Sequence, residues 1–352
     1  MSHVSLSSIQ AHTNNSFQQI SLVRDSLMSQ DNSGTSSEPN ECRGGAATSN
    51  STDPKAAEAA LTAALHDAVR SGDIAAAKDL IIHKGAKEDS LDSQGRTPMI
   101  IAALNRDVAM VKMLGHGHDA FAYLADNSGT TPLMIAAKNN DIEMAKAFWP
   151  LGGRKGLQDN NGWTAMHFAA EQGSAEMLRA LSMSPTKYAL RNCDGSTPLD
   201  LAASGGHVEA VALILEICKK KLKKKDFSLQ NTNLAGRTPL HSAVVAGSVE
   251  AVEFLYEAEP LALNIPDKNG DTPLNSAASR GDLKLTELLL SYGGDRDLPD
   301  NKGETPLTKA SRGGFDDVAN LVGRYQQTKA NNPPYTSRSK SGNILGRIFR
   351  RS

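Results

Sequence analysis

The chain has 352 residues, with 38 basic and 39 acidic side chains, so no global field argues for a nucleic-acid partner. Aromatic residues make up 5%, which is low for a globular core, and no apolar run approaches the ~18 residues of a membrane-spanning helix. Cys42, Cys193 and Cys218 are widely spaced and odd in number, which argues against a disulfide framework or a zinc site and for a reducing, cytosol-like compartment.

Residues 1–56 are rich in Ser, Asn, Thr and Gln and are expected to be a largely disordered tail. Within it Phe17, Ile20, Val23 and Leu27 fall on one helical face. Residues 1–23 carry no Asp, Glu, Lys or Arg. Such a start is similar to the secretion signals of bacterial type III effectors, and equally to ordinary polar tails; both readings stay open. A basic stretch followed by an apolar block, the mark of a Sec-type leader, is absent from this end.

From there one short phrase keeps returning: Gly, any residue, Thr, Pro, Leu. It stands at Gly95–Met99, Gly129–Leu133, Gly195–Leu199, Gly236–Leu240, Gly270–Leu274 and Gly303–Leu307, with Ala165 replacing Pro in Gly162–Met166. The Thr residues at 97, 131, 164, 197, 238, 272 and 305 are spaced by 34, 33, 33, 41, 34 and 33 residues. A fixed period in this range means a stacked array, in which each unit packs only on its neighbours.

The phrase has a mechanism. Thr caps a helix and Pro suits its first position, where an N–H has no partner anyway. Small pairs such as Ala102-Ala103 and Ala136-Ala137 let helices approach closely. Then comes Gly173, Gly206, Gly247, Gly281 or Gly314, with Asn140 in one copy, to end the helix in a left-handed turn. A second apolar helix follows, and after it an Asp-x-x-Gly loop: Asp92, Asp126, Asp159, Asp267 and Asp300, with Asn192 and Asn233 as substitutes.

On these residues the chain resembles the ankyrin-repeat family, and His167 and His241 supply that family's Thr-Pro-Leu-His histidine. An upstream copy lacks the phrase but keeps the register through Leu65, Ala68, Val69, Gly72, Ile74 and Ile81. The resemblance implies an all-α ankyrin-repeat solenoid of about eight repeats over residues 57–325, with disordered termini. The first repeat, starting near Ala60, should act as a cap. Arg106 sits where other copies have Gly or Asn; a left-handed Arg costs about 1 kcal/mol, so this turn is expected to differ in shape.

The 41-residue spacing marks an insertion at about 216–230, holding Lys219, Lys220, Lys221, Lys223, Lys224 and Lys225. Two readings stand: a helix that runs past Leu215 into solvated lysines facing its negative end, or a nuclear-localisation-like cluster. Residues 326–352 form a basic tail. Asn332-Pro333-Pro334-Tyr335 within it has the form read by phosphotyrosine-binding domains, on weak evidence of four residues. Ile344, Leu345, Ile348 and Phe349 fall on one helical face beside Arg347, Arg350 and Arg351. That pattern suits an anionic membrane surface, a type IV secretion signal, or a free basic tail.

Enzyme chemistry finds no support in the motifs. His116-Gly117-His118 lacks the Cys or acidic partners of a metal site. There is no Gly-x-x-x-x-Gly-Lys phosphate loop and no Gly-x-Ser-x-Gly elbow. The expectation is a non-enzyme with no cofactor and no small-molecule substrate, monomeric, cytoplasmic or nuclear, that binds another protein as a scaffold or regulator. The alternative is a secreted bacterial effector engaging a host protein.

The family resemblance places recognition on a concave face of loop tips and first-helix residues. The residue before each Thr is Arg96, Thr130, Trp163, Ser196, Arg237, Asp271 or Glu304. Trp163 reads as an aromatic on an exposed loop with no role in the fold, whereas Trp149, at a second-helix end, is expected to pack between repeats. The candidate patch is Trp163, Asn127, Asn160, Glu171 and Arg191, flanked by Arg237, Lys268 and Arg280.

Overall fold

The computed structural model describes residues 54–115, 122–148, 156–181, 188–221 and 229–325, with the backbone alone at 219–221. Sixteen α-helices and no β-strand occur among the described residues. They come in eight pairs. The first helices are α1 (Pro54–Ser71), α3 (Pro98–Leu104), α5 (Pro132–Lys138), α7 (Ala165–Glu171), α9 (Pro198–Ser204), α11 (Pro239–Ala246), α13 (Pro273–Ser279) and α15 (Pro306–Arg312). Their partners are α2 (Ile74–Ile82), α4 (Val108–Leu114), α6 (Ile142–Ala147), α8 (Ala175–Leu181), α10 (Val208–Lys221), α12 (Val249–Ala258), α14 (Leu283–Ser291) and α16 (Asp316–Arg324).

Each first helix of the phrase begins as its residues dictate. Thr97, Thr131, Thr164, Thr197, Thr238, Thr272 and Thr305 all occupy the N-cap, where the hydroxyl accepts from the N–H three residues on. The small pairs are then buried between rows: Ala102, Ala103, Ala136, Ala137, Ala169 and Ala170 are at most 1% exposed. First helices pack on the first helices either side, and second helices form a parallel row. At α12 and α14 the second row is joined by stacked rings, Tyr256 on Tyr292, with centroids 3.8 Å apart. The Tyr256 hydroxyl also donates to the Tyr292 carbonyl at 3.2 Å.

The ends of the array are finished differently from its middle. The phrase Leu is buried in Leu133, Leu199, Leu240 and Leu274, but Leu307 is 39% exposed, because no further repeat follows it among the described residues. Helix α16 buries Val318 and Val322 and turns Asp316, Asp317, Asn320 and Arg324 outward. Arg296 donates to the carbonyls of Val322 and Tyr325, closing the last turn. At the other end α1 begins at Pro54, earlier than the expected Ala60, and buries only Leu65, His66, Ala68 and Val69. No helix among the described residues is long and apolar enough to cross a membrane.

The turn at Arg106 does not differ in shape. Arg106 adopts φ 58° and Asn140 φ 51°, close to the 67° of Gly173 and Gly206. The neighbouring repeats impose the turn. Asn105 Nδ2 donates to the carbonyls of Val69 and Arg70, and Arg106 Nη2 donates to Asn139 O at 3.2 Å. Packing on both sides therefore holds a side chain in a conformation that costs about 1–2 kcal/mol. Arg106→Gly should raise stability by about 0.5–1 kcal/mol in urea denaturation, with the lost Asn139 contact offsetting part of the gain. A variant no more stable than the parent would mean that the guanidinium contact outweighs the strain.

Helix α10 runs to Lys221, past Leu215, so the lysine run starts as a helix end. Lys219, Lys220 and Lys221 lie on that end; Lys223, Lys224 and Lys225 lie outside the described residues. Also outside are Trp149, His116, His118, Asn332–Tyr335 and both tails at 1–53 and 326–352.

Candidate protein-binding face

The loop tips are rigid for a reason visible in each copy. The Oδ1 of Asp92, Asp126, Asp159, Asp267 and Asp300 accepts two backbone N–H bonds, from the residues two and four further on. Asn192 and Asn233 do the same with their amide oxygens. Each loop is then tied to the previous one by a backbone bond. Asn127 donates to Gln94 O, Asn160 to Ser128 O, Cys193 to Asn161 O, Leu234 to Asp194 O, Lys268 to Ala235 O and Asn301 to Asn269 O. The result is a ladder of loops whose side chains project from a fixed backbone.

The motif histidines lock this ladder to the helices. His167 is fully buried; its Nδ1 takes the Thr164 N–H at 3.1 Å and its Nε2 reaches Ser196 O of the next repeat at 3.2 Å. His241 repeats the arrangement with Thr238 and Asp271 O. Burial pushes the His167 pKa down to about 4, so the ring is neutral at pH 7 and Nε2–H donates. These are scaffold residues.

Trp163 lies on a loop tip, as expected, but it does have a role in the fold. It is half-buried, with its ring 4.9 Å from Phe168 and 6.0 Å from His167. Lys138 Nζ stands over the Phe168 ring, 5.9 Å from its centroid. Phe168 and Lys138 were not among the candidates. Phe168 becomes visible when the repeats are aligned: the residue two after the phrase Leu is Ile101, Ile135, Phe168, Leu201, Ser242, Ser276 and Lys309. This row is apolar over four repeats and polar over three.

The other candidates divide. Asn127, Asn160, Glu171, Lys268 and Arg280 are exposed. Asn160 Nδ2 is partly committed, donating to Asn127 O at 3.0 Å. Arg191 is a buttress: its Nη1 donates to Gly195 O and to Thr232 O, both at 2.8 Å, joining two loops across the 41-residue spacing. Arg237 is half-buried and sits 3.6 Å from Asp267 Oδ2.

Near the C-terminal end the charges neutralise one another. Lys309, 8% exposed, lies 2.7 Å from both Asp271 Oδ1 and Asp300 Oδ2. Arg312 pairs with Glu304. The bond from Lys309, with backbone N–H groups, holds the Asp300 carboxyl at about 2. Arg96 plays the same part at the other end. Burial of Asp92 is outweighed by the Arg96 guanidinium and two backbone N–H groups, which hold it at about 2.

The face supplies an aromatic pair, a cation, amides and a carboxylate on a rigid frame. Among the described residues, no group of three His, Cys, Asp or Glu side chains is placed to hold a metal ion. Cys193 is exposed at its loop tip, whereas burial pushes the Cys218 thiol up to about 12.

A family model of ankyrin repeats matches residues 65–152, 147–226, 191–265 and 259–332, about three quarters of the chain. The chain belongs to the ankyrin-repeat family, an all-α class of repeats that serve as protein-interaction modules. No curated protein matches it.

Proposed function

We propose that this chain binds a partner protein through its loop-tip and first-helix face, with Trp163 and Phe168 at the energetic centre. The observation that carries the reading is the half-buried Trp163 ring against Phe168, with Lys138 over the Phe168 ring and Asn127, Asn160 and Glu171 exposed. Tryptophan anchors inside a polar rim dominate interface energies. Arg237, Lys268 and Arg280 extend the surface to the second and third repeats further along. Arg191 contributes by holding the loops in register.

The work is non-catalytic, that of a scaffold or regulator in a cytosol-like compartment. The unpaired Cys193 and Cys218 support such a compartment. The test is affinity capture from eukaryotic cytosol with mass spectrometry, wild type beside Trp163→Ala. The captured partner should bind Trp163→Ala more weakly by ~2 kcal/mol or more, about 30-fold in Kd. A partner held equally by both proteins would remove Trp163 as the anchor.

A further inference from the structure

A second docking surface lies on the other row of helices, at the N-terminal end of the array. A groove with a cavity volume of about 590 Å³ opens between α2 and α4. Its apolar lining is Ile81, Ile82, Ala109 and Met113; Ile82 is 60% exposed. Lys78 and Lys112 stand on its two rims, and neither makes an ion pair among the described residues. Glu88 closes one end and is already engaged with another group.

The rest of the array shows what this groove lacks. The fifth residue of successive second helices is Lys78, Lys112, Lys146 and Arg179. The second residue is Ala75, Ala109, Glu143, Glu176 and Glu209. In this register one cation and carboxylate pair, Arg179 Nη2 lying 3.3 Å from Glu209 Oε1, while Lys112 with Glu143 and Lys146 with Glu176 form no ion pair among the described residues. For Lys78 the corresponding position on α4 is Ala109. The small side chain both opens the groove and withholds the carboxylate.

We propose that this groove docks an acidic amphipathic helix from a partner protein. Its apolar stripe lies on Ile81, Ile82 and Met113, and its carboxylates reach Lys78 and Lys112. The occupant is a helix because the structure's own version of the missing contact, Glu209 to Arg179, comes from a helix packed alongside. An amphipathic helix laid in an apolar groove is a common mode of peptide recognition. The surface is independent of the Trp163 face.

The probe is a fluorescein-labelled peptide of about 16 residues, with Leu at i, i+3, i+4 and i+7 and Glu on the flanks. A second peptide carries Lys in place of Glu. The full chain should bind the acidic peptide and not the basic one, with NMR shifts at Ile82 and Met113. Ala109→Glu supplies the missing carboxylate from within and should weaken binding at least tenfold, with the thermal midpoint held or raised. Lys78→Glu should turn the preference toward the basic peptide, and Trp163→Ala should leave both affinities unchanged. Equal binding of the two peptides, an affinity unaltered by Ala109→Glu, or binding of phosphatidylserine vesicles in place of the peptide would overturn the proposal.

Discussion

Gly236→Ala should destabilise the array by roughly 3 kcal/mol or more, whereas Gly303→Ala should cost only about 1 kcal/mol. The two glycines have the same conformation, φ 78° and 79°, so the backbone penalty of a side chain is the same. Their neighbours differ. A Cβ on Gly236 would stand 2.5 Å from the backbone nitrogen of Lys268 and 3.0 Å from the carbonyl carbon of Asp267. That nitrogen donates to Ala235 O in the loop ladder, so it cannot move without breaking a rung. On Gly303 a Cβ meets nothing within 4 Å, since the last loop has no successor. Urea denaturation of both variants measures the difference. Equal losses would mean that the loops do not pack as tightly as the ladder implies.

Asp200→Asn should stabilise the protein by about 2–3 kcal/mol at pH 7 and by almost nothing at pH 4. Asp200 occupies the motif-histidine position and is 5% exposed. Its Oδ2 accepts from Thr197 N–H at 2.8 Å and from the Thr197 hydroxyl at 2.7 Å, but Oδ1 is buried without a partner. Burial raises its pKa to about 6, against the bonds from Thr197 and the charge of Arg191. A raised acid contributes fully below its unfolded pKa of ~3.9, and that contribution is lost as pH rises through about 6. Asn275 shows the remedy in the same column: Thr272 donates to its Oδ1, and its Nδ2 donates to Leu298 O at 3.3 Å. Chemical denaturation of both proteins at pH 4 and pH 7 decides it. A gain that does not change with pH would place the effect in packing, outside the titration of Asp200.

His167 behaves in the opposite sense. Its pKa is lowered to about 4 by burial, so its contribution is present above ~6.5 and lost as pH falls through about 4. Asp92 and Asp300, both held at about 2, lose theirs below the usual carboxylate range.

Much of the fold was legible because the repeat is written in local terms. A capping Thr, a Pro at the first helical position, and an Asp or Asn that folds its own loop each act within five residues. Repetition turned those local rules into an architecture. Trp163 was legible as a loop-tip residue for the same reason; His167 and His241 were legible as motif histidines through the family resemblance, and their bonds to the next repeat came from the structure. The short-range rule at Arg106 failed because the adjacent repeats, through Asn105 and Asn139, outweigh the preference of a single residue.

By itself the sequence determined the period, the helix starts and the loop closures. Only the tertiary structure decided which exposed-looking residues are spoken for. Arg191 became a buttress, Lys309 a shared cation, Trp163 half of a tilted aromatic pair, and Ala109 a small residue where later repeats carry Glu143, Glu176 and Glu209. The bond from Arg191 to Thr232 and the pair of Lys309 with Asp271 join residues about 40 positions apart in the chain. A side chain's partner at that range is set by how the repeats stack, and stacking geometry is a property of packed helices that no single repeat encodes.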